Sequence, residues 1–74
     1  MRIEIKLYAS LRQGRFAREE RDVPDAATGI QVAAELGIPA AQVGILLVNG
    51  RHAGRQDPLH EGDVLSLFPL IGGG

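Results

Sequence analysis

A full helix pattern occurs once in this chain, and strand-like segments lie on both sides of it. Thr28 is placed as an N-cap, and Gln31 three residues later completes a capping box. Ile30, Ala33, Ala34 and Leu36 supply one apolar face, and Gly37 stands where a helix turns left-handed and stops. That face has to be buried, and the rest of the chain offers mainly strands to bury it.

Ile3, Ile5 and Leu7 alternate with Arg2, Glu4, Lys6 and Tyr8, the pattern of a half-buried strand. Ala9 to Gln13 reads as a short helical turn ended by Gly14, and Arg15 to Val23 as a second strand paired with the first. Arg12, Arg15, Arg18 and Arg21 are spaced by three, but Glu19, Glu20, Asp22 and Asp25 lie among them, so we read a solvated charged surface. Pro24-Asp25 breaks the chain before the helix. After it, Pro39 starts a turn through Gln42. Ile45 to Val48 reads as a central strand covered on both faces and ending at the Asn49-Gly50 turn. Arg51-His52-Ala53 adds a brief strand. Pro58 to Asp63 is a loop that drops Leu59 inward, and Val64 to Phe68 forms the last strand, closed by Pro69. The order of elements predicts an α+β fold with the helix packed on the face bearing Ile3, Ile5, Leu7, Leu46, Val48, Leu65 and Leu67.

Seventy-four residues with a hydrophobic fraction of 45% support one small core, and with 4% aromatics that core is aliphatic. The absence of cysteine excludes a disulfide framework, a thiolate metal site and a cysteine nucleophile. A net charge of −1 gives no electrostatic reason to bind nucleic acid or an anionic membrane. Charges at every other position from Arg2 to Lys6 are incompatible with a signal peptide, and no apolar run approaches the roughly 20 residues of a spanning helix. The expected location is the cytoplasm.

Gly72-Gly73-Gly74 follows Leu67-Phe68-Pro69-Leu70-Ile71. Three glycines have nothing to bury and lose the most entropy on ordering, so they predict a mobile tail, 72–74, on a domain of residues 1–71. Ile71 to Gly74 extends roughly 13 Å at about 3.3 Å per residue. A thin tether ending in a carboxylate suits entry into another protein's active site. His52, His60, Asp57 and Asp63 match no standard metal-ligand spacing, and neither Ser10 nor Ser66 has the setting of a catalytic serine.

Several segments in order resemble the ubiquitin-like sulfur carriers, the family of the molybdopterin synthase small subunit and the thiazole sulfur carrier. They are Leu7-Tyr8-Ala9-Ser10-Leu11-Arg12, Glu35-Leu36-Gly37, Val48-Asn49-Gly50, Leu59-His60-Glu61-Gly62-Asp63 and Leu67-Phe68-Pro69 leading to Gly73-Gly74. The Tyr8 turn and Phe68-Pro69 look molybdopterin-type, whereas Leu70 stands where that type commonly has a second proline and Ile71-Gly72-Gly73-Gly74 looks more like the thiazole-type ending. The resemblance implies a β-grasp fold, a mixed sheet of four to five strands with one main helix across one face.

It also implies a chemistry. An E1-like enzyme uses ATP to adenylate the Gly74 carboxylate, a sulfur donor displaces AMP, and the thiocarboxylate hands sulfur to a substrate held by a synthase large subunit or a thiazole synthase. The carrier is not itself an enzyme, and binds no cofactor. Gly73 and Gly74 are then the reacting residues, because a side chain there would narrow access to the carbonyl carbon. Tyr8, Arg12, His52, Phe68, Pro69, Leu70, Ile71 and Gly72 become candidate partner contacts. His52 departs from the aliphatic residue usual in such carriers. Two alternatives share this sequence: a protein modifier joined through Gly74 to lysines, and a β-grasp domain that binds without covalent chemistry.

Overall fold

The computed structural model describes residues 1–70. The expectations placed on Ile71 to Gly74, including the mobile tail, lie outside the described residues. Five strands are described: β1 (Arg2–Leu7), β2 (Arg18–Asp22), β3 (Val43–Val48), β4 (Arg51–His52) and β5 (Val64–Pro69). They form one mixed sheet in the order β2-β1-β5-β3-β4, with the helix α1 (Gly29–Glu35) on one face. This is the β-grasp arrangement.

β1 pairs antiparallel with β2 and parallel with β5, so residues 2–8 and 64–68 do run side by side. The alternation at the start of the chain sets this up. Ile3, Ile5, Leu7, Leu65 and Leu67 are each at most 1% exposed and line the face beneath the helix. Val32 and Ala33 come down from α1, and Leu11, Ile38, Val43, Leu46 and Leu59 close the sides. Gly29 lets the helix approach closely: a Cβ there would lie 2.6 Å from Leu46 Cδ1.

Both helix ends follow their sequence signals. Thr28 Oγ1 accepts from the Gln31 N–H at 3.2 Å, and the Thr28 N–H donates to Gln31 Oε1 at 2.9 Å. At the other end Gly37 has φ +79°. Its N–H donates to the Ala34 carbonyl, and the Ile38 N–H donates to that of Ala33, each at 2.9 Å. These two bonds form a Schellman cap, and buried Ile38 supplies its hydrophobic contact.

Three expectations need correction. β3 is not covered on both faces and is not central: β5 occupies the middle, and Ile45 is 36% exposed on the open side of the sheet. A continuous apolar run looks the same whether its second face meets a helix layer or is left open as an apolar surface. Pro69 does not stop β5 at Phe68 but belongs to the strand, opposite Val43. β2 begins at Arg18, and Arg15 before it is not simply solvated. Its guanidinium donates to the carbonyls of Leu36 (2.9 Å), Leu11 and Gly37 (3.1 Å each), tying the helix C-terminus to the turn at Ala9–Arg12.

Candidate functional site: the open sheet face and the chain exit

Residues alternating with the core face the other way, where no element of the described residues covers them. From β2 to β4 this face carries Arg18 and Glu20, then Glu4, Lys6 and Tyr8, then Ser66 and Phe68, then Ile45 and Leu47, then His52. Strand register divides it in two. The half over β2 and β1 is ionic: Glu4 meets Arg18 at 3.1 Å and Lys6 at 3.9 Å, while Arg2 meets Asp22 at 3.1 Å and Glu20 at 3.4 Å. Charge on an edge strand such as β2 discourages pairing with another sheet.

The half over β5 and β3 is apolar. Tyr8 and Phe68 stack with ring centroids 4.2 Å apart and planes 8° from parallel. The stack is held by backbone, because the Tyr8 N–H donates to the Leu67 carbonyl at 3.2 Å. Phe68 lies opposite Ile45 in register, and Leu47 lies opposite both Ser66 and His52. Both aromatics are half-buried, each partly covered by the other, while Ile45 and Leu70 (66% exposed) extend the apolar surface toward the end of β5.

The sequence-predicted contacts therefore do not form one uniform patch. Tyr8, Phe68, Pro69 and Leu70 are gathered at the exit of β5. His52 is exposed on β4, separated from β1 by β5 and β3, and borders the apolar half through Leu47. Arg12 is exposed at the end of the turn Ala9–Arg12, which packs beside β5. It carries the one cationic side chain of that turn. Ser10, Leu11, Ala41, Gln42, Pro69 and Leu70 line a notch where the chain leaves the sheet. Ile71 to Gly74 follow Leu70 in the sequence and lie outside the described residues.

Sequence reading missed Ile45 and Leu47 as members of this face. Their period-two spacing within β3 was a usable signal, masked by Leu46 and Val48 beside them. A groove lined by Val23 to Ala27 and by residues of α1 lies on the helix side of the sheet and includes none of the predicted contacts. Asp57 and Asp63 serve turns: Asp57 accepts from the Gly54 N–H, and Asp63 from Asn49 Nδ2 and the His60 N–H.

No curated protein sequence matches the chain. Among solved structures it is similar to SAMP1, the small archaeal modifier protein 1 of Haloferax volcanii, at 29% identity over 100% of both chains with a TM-score of 0.72. A putative molybdopterin converting factor subunit 1 from Pyrococcus furiosus shares the fold at 24% identity, 96% and 99% coverage and a TM-score of 0.77. The complex of subunits 1 and 2 of molybdopterin-converting factor from Helicobacter pylori contains a chain of the same fold. That chain is 21% identical over 100% of both chains, with a TM-score of 0.65. The sequence profile of the ThiS family matches residues 5–74, nearly the whole length. With the β-grasp sheet and the terminal glycines, that match assigns the chain to the ThiS family.

Proposed function

We propose that this protein is a sulfur carrier whose Gly74 carboxylate is the working group. The carboxylate oxygen attacks the α-phosphate of ATP in an E1-like enzyme, releasing pyrophosphate and leaving an acyl-adenylate. Hydrosulfide attacks the Gly74 carbonyl carbon and expels AMP to leave the thiocarboxylate and a proton. A persulfide donor instead leaves an acyl disulfide, whose S–S bond a thiol then cleaves, giving the thiocarboxylate and a disulfide. The thiocarboxylate sulfur is the softer nucleophile and goes to a cofactor precursor on a synthase. In this reading residues 1–71 are a handle for docking, residues 72–74 are the reactive tail, and catalysis and ATP binding belong to the cytoplasmic partners.

One observation carries the reading: the apolar surface and the reactive end leave the fold on the same strand. Phe68 is in β5, stacked on Tyr8, and Pro69 and Leu70 lead from it directly toward Gly74. A partner that seats Tyr8, Phe68 and Ile45 also covers Leu70, the last described residue before the glycines. Molybdopterin synthesis is favoured over thiazole synthesis because the Tyr8–Phe68 pair is the molybdopterin-type feature. The subunit 1–subunit 2 complex also supplies a precedent for a large-subunit partner.

The test is intact mass after incubation with an E1-like enzyme, ATP and a sulfur donor. Exchange of one oxygen for sulfur at Gly74 is expected, and unchanged mass with no adenylate overturns the proposal. Similarity to SAMP1 favours a second reading, conjugation of Gly74 to lysine amines. Isopeptide-linked products in place of thiocarboxylate would establish it. Binding without either product would leave a non-covalent interaction domain.

A further inference from the structure

β3 and β5 do not pair evenly. Val43 lies opposite Pro69 and Ile45 opposite Phe68, so Gly44 is an extra residue, bulged out of the ladder where β5 ends. A Cβ on Gly44 would sit 2.6 Å from the Pro69 carbonyl oxygen and 2.9 Å from both Pro69 C and Leu70 Cα. All three are backbone atoms, so no rotamer change relieves the contact. The bulge is also anchored from its other side. Arg55 donates to the Val43 carbonyl at 2.6 Å and the Ala40 carbonyl at 3.0 Å, fixing the chain that leads into Gly44. Bulges next to reactive groups re-aim the strand they interrupt. Here the missing side chain lets Pro69 and Leu70 lie against the β3 backbone.

We propose that Gly44 is a positioning residue for the chemistry at Gly74: by admitting Pro69–Leu70 against β3, it sets the direction in which the tail leaves the docking face. This rests on the sulfur-carrier reading. Gly44 touches neither ATP nor the reacting carbon and acts only through the path of Pro69 and Leu70. Gly44 lies outside the Tyr8–Phe68–Ile45 patch and a Cβ there meets the backbone of Pro69 and Leu70, so Gly44→Ala is expected to disturb delivery more than docking.

Three proteins decide the matter with the E1-like enzyme of the same source: wild type, Gly44→Ala, and Gly44→Ala with one extra glycine inserted after Ile71. Partner affinity is measured without ATP, and adenylation as pyrophosphate release at saturating carrier. Folded Gly44→Ala is expected to keep its affinity and lose about 10²-fold in kcat, the scale of an ångström-sized misplacement. The added glycine is expected to restore part of that loss, since a longer tether tolerates a wrong exit angle. A folded Gly44→Ala with wild-type kcat overturns the inference, as does a loss confined to affinity.

If Gly44→Ala does not fold, the wild type decides. A nuclear Overhauser contact between Gly44 Hα and Leu70 Hα that persists in the partner complex supports the inference, and its disappearance overturns it. A wild type that releases no pyrophosphate overturns the function reading and this inference together. An active wild type matched by Gly44→Ala overturns this inference alone.

Discussion

Phe68 ties the stability of the fold to the proposed docking face. Stacking on Tyr8 contributes about 0.5–1.5 kcal/mol beyond simple burial, so Phe68 is not an inert surface position. Phe68→Asp should therefore lower stability by about 1 kcal/mol and leave the protein folded. Loss of partner binding should be larger, about 2 kcal/mol or more, because an aromatic is lost from the patch and a charge is buried against the partner. Urea unfolding and titration with the partner on the same variant test both. Undiminished affinity would move the interface off this face. Arg15 makes a different case. Its three carbonyl contacts predict that Arg15→Ala costs about 1 kcal/mol, less than a buried charged hydrogen bond because the side chain is exposed. Arg15→Lys should not restore it, since an ammonium lacks the planar fork that reaches three acceptors at once. A shift in urea midpoint with unchanged m-value is the expected signature.

Among the elements, α1 depends on its ends. Seven residues are too few for a helix to persist by propensity, so the capping box and the packed face have to supply what length does not. Thr28→Ala should cost about 1 kcal/mol, read as earlier amide exchange in α1 than in β1 or β5. This element was legible because each signal lies within a few residues of its partner: Thr28 with Gln31, and Gly37 with Ala34. β1 was legible for the same reason, its alternation being local. What escaped depends on contacts far apart in the sequence. Arg15 looks like one more charge in a charged stretch until Leu36 and Gly37 are folded against it. Gly44 looks like a neutral residue between Val43 and Ile45 until Pro69 and Leu70 arrive across the sheet. β3 was misjudged because a run of four apolar residues carries no information about which neighbour covers each face. Of the candidate contacts, Tyr8 and Phe68 were placed correctly on the outer face by period two, and Ile45 was not considered.

For the whole molecule, the sulfur-carrier reading assigns stability to the core and chemistry to the C-terminal glycines. Terminal residues contribute little to folding free energy, so on this reading removing Gly74 should leave the melting temperature nearly unchanged and abolish adenylation. Differential scanning calorimetry and pyrophosphate release make the comparison. A truncated protein thiocarboxylated at the wild-type rate would show that the terminal glycine is not the acceptor. On the sulfur-carrier reading so small a protein takes part in demanding chemistry because the partner supplies the site and the carrier supplies a docking face and the reacting carboxylate.

The parallel pairing of β1 with β5 has a mechanical consequence. Arg2 and Pro69 lie at opposite ends of two adjacent strands that run the same way, with Glu4 beside Val64 and Leu7 beside Leu67. Tension applied between them slides one strand along the other, so the hydrogen bonds joining them carry the load together and have to fail together. The β3–β4 hairpin, pulled apart at its open end, would instead unzip one pair at a time. A machine that grips the chain by its C-terminal end and tries to thread it therefore meets the sheet in its strongest direction. In single-molecule pulling, force applied across residues 2 and 70 should unfold the protein in one abrupt step, at a higher force than the same pull applied across residues 43 and 52.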